Sequence, residues 1–105
     1  MFVRVPEPFQ PFQKDESVTI EVIVEAVPKP TINWICNGKE LTAKDGVQIN
    51  KDVATNTYTL IIPKLNPNSH NGTFTIKATN VVGTVHYDFD IIIQGDLIFN
   101  LFLIT

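Results

Sequence analysis

The chain has 105 residues, 44% of them hydrophobic, and a formal net charge of −3. That length supports one hydrophobic core and not two, and a weak negative balance with both signs interspersed excludes the basic face that a nucleic acid requires. A single cysteine, Cys36, excludes an intramolecular disulfide, the usual staple of a small secreted domain.

Residues 1–13 alternate Pro6, Pro8 and Pro11 with Phe2, Phe9 and Phe12. Proline lacks a backbone donor and breaks both helices and central strands, so this stretch is expected as an edge strand led in by a linker. We assign 1–7 to that linker or edge segment and 8–94 to one domain. Met1 to Pro6 has no apolar signal-peptide core, and no apolar run reaches the ~18 residues of a membrane span. The expected setting is therefore the cytoplasm, without membrane or nucleic-acid partners.

Val18, Ile20, Val22 and Val24 alternate with Thr19, Glu21, Ile23 and Glu25, the pattern of a half-buried strand. After Pro28-Lys29-Pro30, a second strand puts Ile32, Trp34 and Cys36 on one face and ends at Asn37-Gly38. Both of those residues tolerate positive φ, so a tight hairpin follows. An indole buries about 150–250 Å² and needs apolar neighbours from other strands. Cys36 is expected as a small buried apolar side chain.

Val47, Ile49 and Val53 suggest a short, weak strand after the turn at Asp45-Gly46. Tyr58, Leu60 and Ile62 are the inward set of the next strand, which Pro63 stops. Residues 65–72 read as a turn-rich corner. Phe74, Ile76 and Ala78 alternate with Thr75, Lys77 and Thr79; after a turn at Asn80 to Gly83, Val85, Tyr87, Phe89 and Ile91 alternate with His86, Asp88 and Asp90. About seven strands, with turns about every 8–12 residues, have the spacing of an all-β sandwich or barrel; the lone Trp34 on its strand suggests the sandwich, with two antiparallel sheets.

No catalytic constellation is present. His70 and His86 lack ligand partners at recognised metal spacing. Ser17 and Ser69 sit in no nucleophile elbow, and Asp88 and Asp90 share a solvated strand face. Gly72 and Gly83 serve turns rather than a phosphate loop. No enzyme activity, metal or cofactor is expected.

Taken together, Ser-Val-Thr-Ile at 17–20, Pro-Lys-Pro-Thr-Ile-Asn-Trp at 28–34, Asn-Gly-Lys-Glu-Leu at 37–41, Tyr-Thr-Leu-Ile-Ile at 58–62 and the run from Asn71 to Gly83 resemble an intermediate-set immunoglobulin domain. The nearest flavour is that of titin, twitchin and obscurin-like muscle proteins. The resemblance implies two bridging cysteines against the Trp, but Val22 and Ile76 stand at those positions, so packing is expected to replace the bridge. It also implies a tyrosine corner, where this chain has His70-Asn71-Gly72-Thr73-Phe74 and so keeps the ring without its hydroxyl. Val22, Trp34, Leu60, Phe74 and Ile76 are the expected heart of the core, with Ile20, Val24, Ile32, Ile62, Ala78, Tyr87, Phe89 and Ile91 around them.

The resemblance implies a non-enzymatic structural and protein-binding module of a sarcomeric, cytoskeletal protein, its partners being neighbouring domains or other cytoskeletal proteins. The alternative it leaves open is an extracellular adhesion or receptor domain that has lost its bridge. Asn71-Gly72-Thr73 matches a glycosylation sequon, which the missing bridge argues is a chance match. Residues 95–105 form an apolar extension beyond the expected last strand. Leu97, Ile98, Phe99, Leu101 and Phe102 would serve there either as a flap over the domain itself or as a partner-binding strand, including one that pairs two copies into a homodimer.

Overall fold

The alternating segments pair into a two-layer sandwich. The computed structural model describes residues 1–94; the extension and the roles expected of it lie outside the described residues. In chain order the strands are β1 (Phe2–Arg4), β2 (Phe9–Gln13), β3 (Val18–Val24), β4 (Thr31–Cys36), β5 (Lys39–Glu40), β6 (Gln48–Asp52), β7 (Thr57–Ile62), β8 (Gly72–Asn80) and β9 (Gly83–Gln94). One sheet has the order β1-β3-β7-β6 and the other β2-β9-β8-β4-β5. The Asn37-Gly38 hairpin forms as its residues dictate, with φ of 51° and 84°, and joins β4 to β5.

The proline-rich start supplies two short strands, one on each sheet. β1 runs antiparallel to β3, whereas β2 runs parallel to β9, from Phe9 opposite Asp90 to Gln13 opposite Gln94. The segment 1–7, expected as a linker or an edge, thus carries an edge strand. The crossing between the sheets is held by Tyr87, whose hydroxyl donates to the Pro6 carbonyl at 2.8 Å and whose ring meets Phe2 edge-on.

The inward sets meet where alternation places them. Val22, Trp34, Leu60, Phe74 and Ile76 are all buried. Val22 and Ile76 come from opposite sheets and are completely covered, so two aliphatic side chains occupy the expected bridge positions, each contributing about 1.5–3 kcal/mol by burial. Phe74 stacks on Phe89 at a centroid distance of 5.5 Å. Cys36 is buried and its thiol donates to the Ser69 carbonyl; burial pushes the thiol up from its ordinary range, which makes it unreactive.

The inward sets thin out toward the margins of the sandwich. Ile32 and Tyr87 are only half-buried, and Val85 is exposed because the start of β9 overhangs the core. Val47 is buried but Ile49 is not, since β6 is an outer strand. Leu65, which the turn-rich corner concealed, is completely buried. Its N–H donates to the Glu16 carbonyl and its own carbonyl accepts from Asp15, both at 3.0 Å. The corner itself is a single helical turn, Pro67–His70, capped by the Asn66 side chain.

Candidate functional site

Three segments converge at one pole of the sandwich: the chain start, the β3–β4 connection and the β8–β9 turn. Asn80 organises them. Its side-chain oxygen accepts from the Val82 and Gly83 N–H groups, closing the turn. Its amide nitrogen donates to the Pro28 carbonyl at 2.9 Å, tying that turn to the β3–β4 connection. The Met1 backbone nitrogen donates to the Glu25 carbonyl, and the Glu25 N–H donates to the Met1 carbonyl.

Beside the exposed Glu25, Lys29 and Thr84, several side chains that face solvent here are aliphatic. Val27 is 91% exposed, Val81 90% and Val82 80%; Met1 and Val85 are also exposed. Between them lies a hollow of about 410 Å³ whose lining includes Val24, Pro30 and Ala78. A single exposed valine carries no information, but an apolar group on three converging loops marks a contact surface. No charged residue interrupts 26–28 or 81–83. The arrangement can bury an apolar surface.

The opposite pole is polar. Thr42 and Asp45 form a reciprocal cap on the short helix Ala43–Asp45. The Thr42 N–H and the nearby Lys39 ammonium hold the Asp45 carboxyl below its ordinary range. His70 is buried, and its Nδ1 accepts the Asn66 N–H at 2.9 Å, which requires a neutral ring. Burial lowers its pKa from the ordinary value. The unfolded chain therefore binds the proton more readily, so stability is full above about pH 6.5 and is lost as pH falls through the folded-state value. We expect the melting temperature to hold between pH 8 and 7 and to fall below about 6.5. His70→Gln should flatten that fall; a wild-type melting temperature constant from pH 7 to pH 5.5 would contradict the assignment.

Among the described residues no three His, Cys, Asp or Glu side chains group to hold a metal ion, and no helix is long and apolar enough to cross a membrane. Asp88 and Asp90 each accept a hydrogen bond from a threonine across the ladder, Thr75 and Thr73, at 2.8 Å. They act as surface cross-strand pairs. Asn71 uses its side-chain oxygen to accept the Ile93 N–H at 2.7 Å, which fixes the end of β9.

The five residues singled out as the core are packing residues and contribute nothing to the exposed pole. The pole valines went unread because Asn80 to Gly83 scans as an ordinary turn. The available signal was composition: the two central turn positions are valines, where polar residues or glycine are the norm.

The Immunoglobulin I-set domain model matches residues 1–93. Mouse (Mus musculus) Hemicentin-1 is 32% identical over 85 residues, covering 80% of this chain and 1% of that protein. The muscle M-line assembly protein unc-89 of Caenorhabditis elegans is 32% identical over 84 residues, again 80% of this chain and 1% of the other. The chain thus spans about 1% of the length of these relatives. Among solved structures, the titin domains z1z2 in complex with telethonin match with a TM-score of 0.81 and 25% identity, over 91% of this chain and 47% of that one.

Proposed function

The chain belongs to the immunoglobulin I-set family, and from that premise we propose that it is a non-enzymatic structural module of a larger cytoskeletal protein, of the sarcomeric kind, that works by binding other proteins. The observation that carries this reading is the exposed apolar pole of Val27, Val81 and Val82. An isolated bead has no use for aliphatic loop tips, whereas a module joined to others can bury them. The partner we assign to the pole is the module that precedes this one in the same polypeptide, because the chain enters the fold there, at β1. Similarity to an M-line assembly protein and to titin domains seen with telethonin supports the muscle setting.

The test joins this chain to the preceding module of its parent protein and measures their relative tumbling by NMR relaxation. We expect the pair to tumble as one body, and the triple variant Val27→Ser, Val81→Ser, Val82→Ser to release the modules. Because these side chains are exposed, each substitution should change stability by less than about 0.5 kcal/mol. Independent tumbling of the unaltered pair would refute the assignment of the pole.

A further inference from the structure

The outer strands of the two sheets differ in their capacity to accept another strand. Among the described residues β1 has three residues and an irregular register against β3. β2 carries Pro11 at its centre, which removes a donor, and β5 has two residues. β6 has five, Gln48–Asp52, with no proline and an unbroken register along β7. It is the edge best able to pair.

Beside that edge the two sheets part. Ile49 and Lys51 stand opposite Leu60 and Tyr58, which are buried, so all four side chains lie on the face toward the second sheet. A hollow of about 330 Å³ opens there between β6 and β4, with Ile32, Trp34, Ile49, Lys51 and Tyr58 in its lining. That is the low end of the ~300–1,000 Å³ range of ligand pockets, and it suits one large side chain better than a cofactor. Ile49 is 40% exposed. β5 pairs only with Ile35 and Cys36, so it does not close the hollow.

The charge around the hollow is one-sided. Neither Thr31–Cys36 nor Thr57–Ile62 contains a charged residue. Among the described residues Lys51 is the one charged side chain in the lining, and no carboxylate pairs with it. Asp52 beside it falls on the other face at period two, where its Oδ1 accepts the Ala54 N–H at 3.1 Å. The Lys29 ammonium lies at the same end of β6, donating to the Val53 carbonyl and to the Asn56 Oδ1, and adds positive charge there.

An apolar floor, a cationic lip and an open strand edge side by side define the occupant. We propose that β6 takes up an extended segment of another protein as an added strand, with an apolar residue entering the hollow opposite Ile49 and an acidic residue meeting Lys51. Positions opposite Ile49 and Lys51 are two apart and on one face whichever way the added strand runs. The two recognised residues are therefore separated by a single residue. The backbone ladder supplies affinity, and these two side chains supply the choice of partner. The surface is separate from the valine pole, so its test can fail without touching the partner assigned there.

The test titrates the full chain with two capped peptides, one with the core Val-Thr-Leu-Thr-Glu-Thr-Val and one with Lys in place of the Glu, and follows both by NMR. We expect the acidic peptide to shift the resonances of Ile32, Ile49 and Lys51 and to bind at least about fivefold tighter than the basic one. Lys51→Glu should reverse that order, and Ile49→Ser should weaken both peptides; both side chains are exposed, so each variant should fold. No shift along β6, or an order that Lys51→Glu leaves unchanged, overturns the proposal. Slow exchange, with no peptide present, of the β6 amides that point away from β7 also overturns it. The edge is then already covered, by other residues of this chain or, where protection grows with concentration, by a second copy.

Discussion

Gly72→Ala is expected to destabilise the domain by about 3 kcal/mol. Gly72 opens β8 with φ of 132°, outside the range that L residues adopt at ease, and such backbone costs about 1–3 kcal/mol. An added Cβ would also stand 2.3 Å from the Asn37 Oδ1. The Asn37 tip cannot simply turn aside. Its Nδ2 donates to the Asn71 carbonyl and its Oδ1 accepts the Thr73 N–H, each at 3.0 Å, so yielding breaks two hydrogen bonds worth about 1 kcal/mol apiece. At about 4–8 °C per kcal/mol for a domain of this size, the melting temperature should drop by more than 10 °C. Gly83→Ala is the control: a Cβ there meets nothing within 4 Å, and the change should be small. A Gly72→Ala protein melting within about 2 °C of wild type would contradict this account.

Trp34→Ala is expected to cost more, about 3–5 kcal/mol, from lost burial and the cavity left behind. Trp34 is 2% exposed and faces Ile76 across the β4–β8 ladder, so its ring is shared by the whole inner layer. Domains of this class have a total stability of about 5–15 kcal/mol, and the variant should be partly or wholly unfolded at 37 °C. One term works the other way. The Trp34 Nε1–H is buried without a hydrogen-bond partner among the described residues, a cost of about 1–3 kcal/mol that removal of the indole relieves. Trp34→Phe, which sheds the donor and keeps a ring, should therefore fall well short of the alanine variant. Urea unfolding of both separates the effects; an alanine variant within 1 kcal/mol of wild type would refute the central role of the ring.

What could be read from the residues was whatever obeys local periodicity. β3, β7 and β8 each show a clean alternation and bury the side chains they place inward, while β9 alternates as cleanly but buries its inward set only from Phe89 onward. The Asn37-Gly38 turn was legible because its chemistry permits little else. What escaped was set by pairing between distant segments. Nothing in Phe9–Gln13 announces a parallel partner at 90–94, since strand choice across some eighty residues leaves no local trace. Leu65 and His70 sit in a turn-rich run that scans as surface, yet backbone ties to Asp15, Glu16 and Asn66 pull both inward. The pole is a further case: Val27 and Val81 are 54 positions apart in the chain, and the β4–β8 ladder with the Asn80 bond to Pro28 makes them one surface.

The parallel pairing of β2 with β9 also decides how the domain answers to force. These strands belong to the two ends of the described chain and run in the same direction over five register positions. Tension applied at the two ends draws one strand backward and the other forward along their common axis. The ladder between them is loaded in shear, all rungs together, and cannot open one rung at a time as a peeled hairpin does. β1, nearer the chain start, is paired with β3, so the same pull also loads the other sheet through that shorter ladder.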